Sequence, residues 1–242
     1  MTAPPPRPLI PDFDSDPERF AANQAATQQF SAGGDVHQQV ADRLAALKAG
    51  RVLDLGGGDG TLARLLARHD VPTVVLDRAG YVRHAPPPAV QADAARLPFV
   101  DGCFGAVAAL WMLYYVPQPF IVLAEAARVL RAGGVFVAST SSRYNDPEFA
   151  EVVPGWGEPF SFDAETAVDI VAEQFPITEV LRWDTAAVRL PDVAAVRLFL
   201  RGRGLSEATA ASEAARRRCP LSVTKRGCLI WAQKAQDAAP HR

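Results

Sequence analysis

Asp54, Gly56, Gly58 and Gly60 are the residues whose types and spacing point most directly to chemistry. They lie in RVLDLGGGDGTLARLL, Arg51 to Leu66, where an apolar run (Val52, Leu53, Leu55) ends in an acid and glycines before Leu62, Leu65 and Leu66 resume at helical spacing. The pattern reads as strand, tight turn and helix. Without a Cβ the glycines admit left-handed dihedrals and let a ligand approach the backbone, while the amides at the helix start face it. Three alternating glycines cost backbone entropy that an ordinary turn avoids, so the loop is read as a ligand site. A phosphate-cradling loop would follow its last glycine with Lys and Ser or Thr. Thr61 and Leu62 stand there instead, which argues against a nucleotide triphosphatase. The dinucleotide fingerprint fits imperfectly, because GGGDGT puts its third glycine one position early.

A second acid follows at matching distance. Thr73 to Asp77 reads as a buried strand ending in a carboxylate, and at such a strand end Asp77 can accept hydrogen bonds from both hydroxyls of a ribose. That suits any adenosine cofactor and does not tell one from another. In QADAARLPFVDGCFGAVAALWMLYYVPQP, Val90 to Ala92 reads as a short third strand, Asp93 follows it, and Phe104 to Leu110 reads as a fourth strand.

The heptapeptide DLGGGDG resembles the D/E-x-G-x-G-x-G signature of class I S-adenosylmethionine-dependent methyltransferases, and the stretch from Asp93 through Asp101, Gly102 and Phe104 resembles the same family. LRAGGVFVAST resembles its L-x-P-G-G turn, with Ala132 replacing the proline. The resemblance covers residues 51–140 and is similar to the type 11 methyltransferase domain. It implies a doubly wound, seven-stranded, mostly parallel α/β sheet whose last strand is antiparallel. It also implies S-adenosyl-L-methionine as cofactor, with S-adenosyl-L-homocysteine as product. The cofactor-binding set would be Asp54, Gly56, Gly58, Gly60, Asp77, Asp93, Ala94 and Leu110. Asp93 would take the adenine amine and the Ala94 amide a ring nitrogen. An NAD-dependent oxidoreductase and a non-catalytic cofactor-binding protein of the same fold are the alternatives.

For the methyl acceptor, the resemblance gives less. The Asp/Asn/Ser-Pro-Pro-aromatic tetrapeptide of DNA-amine methyltransferases is absent, since Leu110 to Leu113 stand there. The one dense basic run, Arg216 to Arg218, reads as a solvated helix face, so a polynucleotide or protein acceptor is the runner-up to a small molecule. Aromatic residues gather after the fourth and fifth strands. Trp111, Tyr115, Arg143, Tyr144 and Trp156 form the predicted substrate pocket; with few cations beyond Arg143, an uncharged or weakly charged acceptor is expected. Methyl transfer from a sulfonium is an in-line displacement in which a general base is optional. No catalytic residue is assigned; Tyr114 and Tyr115 are weak candidates to orient an acceptor, and His37 and His84 read as surface histidines.

These positions need a scaffold. With 242 residues, 49% hydrophobic, and a net charge of −2, the chain has the length for one α/β domain with appended helices. No run of 18 apolar residues occurs and the start lacks a secretory segment, so a cytoplasmic protein without a membrane partner is expected. Cys103, Cys219 and Cys228 show neither metal nor redox spacing, and no metal is expected. The expected organisation is a mobile proline-rich tail at 1–12, helices at 13–50 that either cover the site or merely pack, a methyltransferase domain at 51–235, and a tail at 236–242. Ser15 and Glu18 read as a capping box before a helix reaching Phe30 and closed by Gly33 and Gly34. A second helix should face inward with Val36, Val40, Leu44 and Leu47. The helix after Pro119 should do so with Ile121, Leu123, Ala124, Ala127 and Leu130, stopping at Gly133 and Gly134. Beyond Val135 to Thr140, the order is a helix from near Asp163, a strand pair in Ile177 to Leu190, two helices, and a last strand at Cys228 to Gln233. LSVTKRGCLIWAQK also reads as a hairpin turning on Lys225, Arg226 and Gly227.

Overall fold

The computed structural model describes residues 16–31 and 34–236. The expected N-terminal tail, Ser15, Gly33 and residues 237–242 lie outside them. Seven strands form one sheet: β1 (Val52–Leu55), β2 (Thr73–Asp77), β3 (Ala89–Gln91), β4 (Phe104–Leu110), β5 (Leu130–Ser141), β6 (Ile177–Leu190) and β7 (Leu221–Gln233), in the order β3-β2-β1-β4-β5-β7-β6. The first five pair in parallel, and β7 runs antiparallel to both β5 and β6. This is the expected doubly wound sheet.

Both faces are covered, which is why β1 (VLDL) and β4 (FGAVAAL) are buried along their whole length and read as nearly unbroken apolar runs. On one face Leu53, Leu55, Val107 and Ala109 pack under helices α4 (Pro119–Val129) and α5 (Ala167–Ala172). On the other, Val52, Ala106 and Ala108 meet α2 (Val36–Ala46) and α3 (Thr61–Ala67). A third apolar cluster gathers Ala26 of α1 (Pro17–Phe30) with Val196, Phe199 and Leu200 of α6 (Val193–Gly202) and Ala210 of α7 (Glu207–Ala215). The chain moves outward from β1 to β3 and then returns to β4, so strand order reverses between β1 and β4; open α/β sheets bind ligands at the carboxyl ends beside such a reversal.

Several local expectations change. Asp16, not Ser15, caps α1 through the Arg19 amide at 2.9 Å, and Asp35 caps α2 through the His37 amide at 2.9 Å. Leu47 is 52% exposed because the helix ends at Ala46 and turns away. The inward face of α4 is Val122, Leu123, Ala126 and Ala127; Ile121 and Ala124 point outward. Leu130 already belongs to β5, which places Gly133 and Gly134 inside a strand. The expected pair in Ile177 to Leu190 is one strand with two register shifts, and the expected hairpin is the continuous β7. Gly227 marks a close approach rather than a turn: a Cβ there would lie 2.4 Å from the Thr140 carbonyl oxygen and 2.6 Å from the Trp183 ring.

Candidate functional site

A large cavity of about 1750 Å³ opens at the carboxyl ends of the parallel strands. One wall is the turn between β1 and α3. Gly56 has φ +67° and Gly58 φ +59°, and a Cβ on Gly56 would lie 2.7 Å from the Met112 side chain. The tightest position is Gly57, which the spacing argument passed over: its Cβ would come within 2.3 Å of the Asp54 carboxyl carbon. Asp54, at the end of β1, is 2% exposed beneath this turn and does not reach the cavity. Its Oδ2 is buried with no hydrogen-bond partner, and desolvation pushes its pKa up to about 7. Gly60 also stays out of the cavity wall and caps α3 with φ +85°.

Asp77 ends β2 and buttresses the same turn. Its Oδ2 accepts the Gly58 amide at 2.9 Å and its Oδ1 the Ala79 amide at 2.8 Å, while burial raises its pKa above the ordinary carboxylate range. Asp93 follows β3, accepts the Ala95 amide at 2.8 Å, and lines the cavity together with Ala94. The β3–β4 connection is held from behind by Arg128, which bonds Glu125, Asp101 and the carbonyls of Leu97 and Phe99. Leu110 closes the row from the end of β4. Of the predicted cofactor set, Gly56, Gly58, Asp77, Asp93, Ala94 and Leu110 therefore share one wall; Asp54 and Gly60 support it from outside.

The opposite wall begins at Trp111, whose φ of +59° is a strained conformation for a bulky residue and which packs edge-on against Trp183 at 5.8 Å. Tyr114 and Tyr115 continue it with ring centres 4.6 Å apart, and burial holds the Tyr114 phenol well above its usual pKa. Trp156 and Phe160 also line the cavity; Phe162 is core. Tyr144 departs from expectation: it is 42% exposed, outside the lining, and braces Trp156 edge-on at 5.5 Å. Arg143 lines the wall, but its charge is taken by the fully buried Asp163 at 2.6 Å and by Glu165.

Sequence reasoning missed three contributions. Phe20, Asn23 and Thr27 of α1 and His37 of α2 line the cavity, and His37 Nδ1 lies 3.3 Å from Asp35 Oδ1; the D-x-H spacing was the only signal. Tyr81 and Met112 flank the glycine turn. Finally, Arg19, Arg203, Lys225 and Arg226 line the cavity, so the expectation of few cations beyond Arg143 is overturned; these residues converge from α1, the end of α6 and β7.

Residues 53–138 match the family model described as a methyltransferase domain. A malonyl-[acyl-carrier protein] O-methyltransferase of Herminiimonas arsenicoxydans is 36% identical over 143 residues, covering 54% of this chain and 54% of that one. A demethylmenaquinone methyltransferase of Beutenbergia cavernae is 41% identical over 107 residues, covering 42% and 45% respectively. The chain thus spans about half the length of these relatives. Among solved structures, the [4+2]-cyclase SpnF superposes with a TM-score of 0.60 at 18% identity, covering 96% of this chain and 99% of that one.

Proposed function

We propose that this chain, which carries a methyltransferase domain of the class I S-adenosylmethionine-dependent kind, transfers a methyl group from S-adenosylmethionine to a small-molecule acceptor. One observation carries the reading: the glycine turn, Asp77 and the Asp93–Ala94 pair, separate in sequence, form one wall at the strand-order reversal. The fold alone would not do so, since one fold hosts many reactions. The residues fit the cofactor. Gly56 and Gly58 line the cavity at positive φ, where a side chain would be strained and would press on Met112 and Tyr81, and Asp77 keeps acceptor capacity beyond its two backbone bonds. When bound, S-adenosylmethionine supplies an activated methyl group on a sulfonium. Asp77 would hold the ribose hydroxyls, Asp93 the adenine amine, and the Ala94 amide a ring nitrogen.

The acceptor would lie against Trp111, Tyr115 and Trp156, with α1 and α2 covering the cavity and excluding water. Its alignment supplies much of the rate, so no base is required. Tyr114 stays protonated across the neutral range and orients through its hydroxyl rather than removing a proton. The small-molecule assignment draws on the names of the two relatives and on the aromatic wall.

The test is calorimetry with S-adenosylhomocysteine and NAD, followed by a labelled-cofactor screen of small metabolites, tRNA and protein extracts. Binding of S-adenosylhomocysteine and label in small molecules are expected. NAD binding in its place, or label confined to the tRNA or protein fraction, would overturn the reading.

A further inference from the structure

The cavity changes sign from one end to the other. Its lining carboxylates Asp59, Asp77 and Asp93 belong to the glycine-turn end, and Asp35 is tied to His37. Toward β7 the charged lining is cationic apart from Asp146. Arg143 is neutralised by Asp163 and Glu165, and Arg226 by Asp184 at 3.0 Å. Arg203 and Lys225 differ, because they share one acid: Asp146 meets Arg203 Nε at 2.5 Å and Lys225 Nζ at 2.6 Å. The next carboxylate, Glu148, turns its oxygens to the amide and hydroxyl of Thr224.

The trio therefore keeps one net positive charge where the Asp146 side chain is 3% exposed and that of Arg203 15%. Donors also remain over. Arg203 gives Nε to Asp146 and Nη1 to Asn23, and Lys225 gives one N–H to Asp146; among the described residues no acceptor meets Arg203 Nη2 or the other two N–H groups of Lys225. Both cations also lie over the Phe199 ring, Arg203 at 4.5 Å and Lys225 at 5.5 Å, and they line the cavity, where an anion would complete the remaining donors. Desolvation, followed by the neighbouring Arg203, lowers the Lys225 pKa to about 8 against the opposing pull of Asp146 and Glu148.

We infer that Arg203 and Lys225 bind a carboxylate of the methyl acceptor, whose apolar or planar body lies along Trp111 and Tyr115. The inference rests on the methyltransferase reading and replaces the uncharged acceptor expected from the sequence. The carboxylate is an anchor and a different atom is methylated. β7 lies two strands from β4, about 10 Å sideways at about 4.8 Å per strand, and Lys225 stands four residues beyond the rung level with Leu110, about 13 Å further along the strand direction, so the anchor lies well beyond the β4 end that borders the glycine turn.

The test uses the full chain saturated with S-adenosylhomocysteine. Phenylpropanoate, indole-3-acetate and dodecanoate, each paired with its primary amide, are titrated calorimetrically. At least one acid should bind about tenfold more tightly than its amide. Lys225→Met should bring that preference to within about threefold, Lys225→Arg should keep most of it, and both should retain S-adenosylhomocysteine affinity. If S-adenosylhomocysteine fails to bind the native chain, the methyltransferase reading falls. If it binds and no acid exceeds its amide, or the preference survives Lys225→Met, the carboxylate anchor falls. The wild-type comparison stands even where a variant fails to fold.

Discussion

Replacing Asp54 by Asn should change how stability depends on pH, by an amount the structure sets. Burial raises the Asp54 carboxyl from 3.8 to about 7. With the folded pKa above the unfolded one, the folded state holds the proton more tightly and ionisation costs stability. The cost is absent below about pH 4, grows between pH 4 and 7, and is complete above that range. At 1.36 kcal/mol per pKa unit it reaches about 4 kcal/mol, of which about 3 kcal/mol develops between pH 5 and pH 8. Asparagine keeps the shape and does not titrate. The stability of Asp54→Asn relative to wild type should therefore rise by about 3 kcal/mol from pH 5 to pH 8 in urea unfolding without cofactor. Taking the difference at each pH cancels the opposite contributions of Asp35, Glu125 and Asp146, whose pKa values lie below the ordinary range. A difference that stays the same at both pH values would refute the argument, and with it the picture of an uncompensated carboxylate behind the glycine turn.

Gly57→Ala should weaken S-adenosylhomocysteine binding at least tenfold by calorimetry, because its methyl would displace the buried Asp54 side chain. Asp77→Ala removes both the proposed ribose acceptor and the partner of the Gly58 amide, and should weaken the same binding by about 1.5 to 3 kcal/mol. An effect below about 0.5 kcal/mol would place the ribose elsewhere. Asp146→Asn preserves a residue type that tolerates φ +57° yet leaves Arg203 and Lys225 facing each other, so urea unfolding should show a loss of about 3 kcal/mol.

The half of the molecule up to β5 was legible because its signals are local. β4 could be read at its observed bounds, since a strand buried on both faces is a short apolar run between turn residues, and Asp77 and Asp93 announced themselves as strand-end acids. β6 and β7 were not legible. Exposed and buried residues mix along β6, and Lys225-Arg226-Gly227 carries turn chemistry although the glycine serves the close packing of Trp183 and Thr140. The α4 face was read correctly at Leu123 and Ala127 but one position early at Ile121 in place of Val122, because Ile121 and Val122 offer the same hydrophobicity to either face. In the site, the cationic end was invisible for a different reason. Arg19 is separated from Arg203 and Lys225 by most of the chain, and the three come together only through the packing of α1 on α6 and the antiparallel return of β7.

That return also orders events during synthesis. Because β7 passes back across the sheet, residues 221–227 arrive at the carboxyl rim after every other strand has been made. Residues 52–110, which line the proposed nucleoside end of the cavity, are thus synthesised well before Lys225, and a chain interrupted before β7 lacks the proposed acceptor anchor.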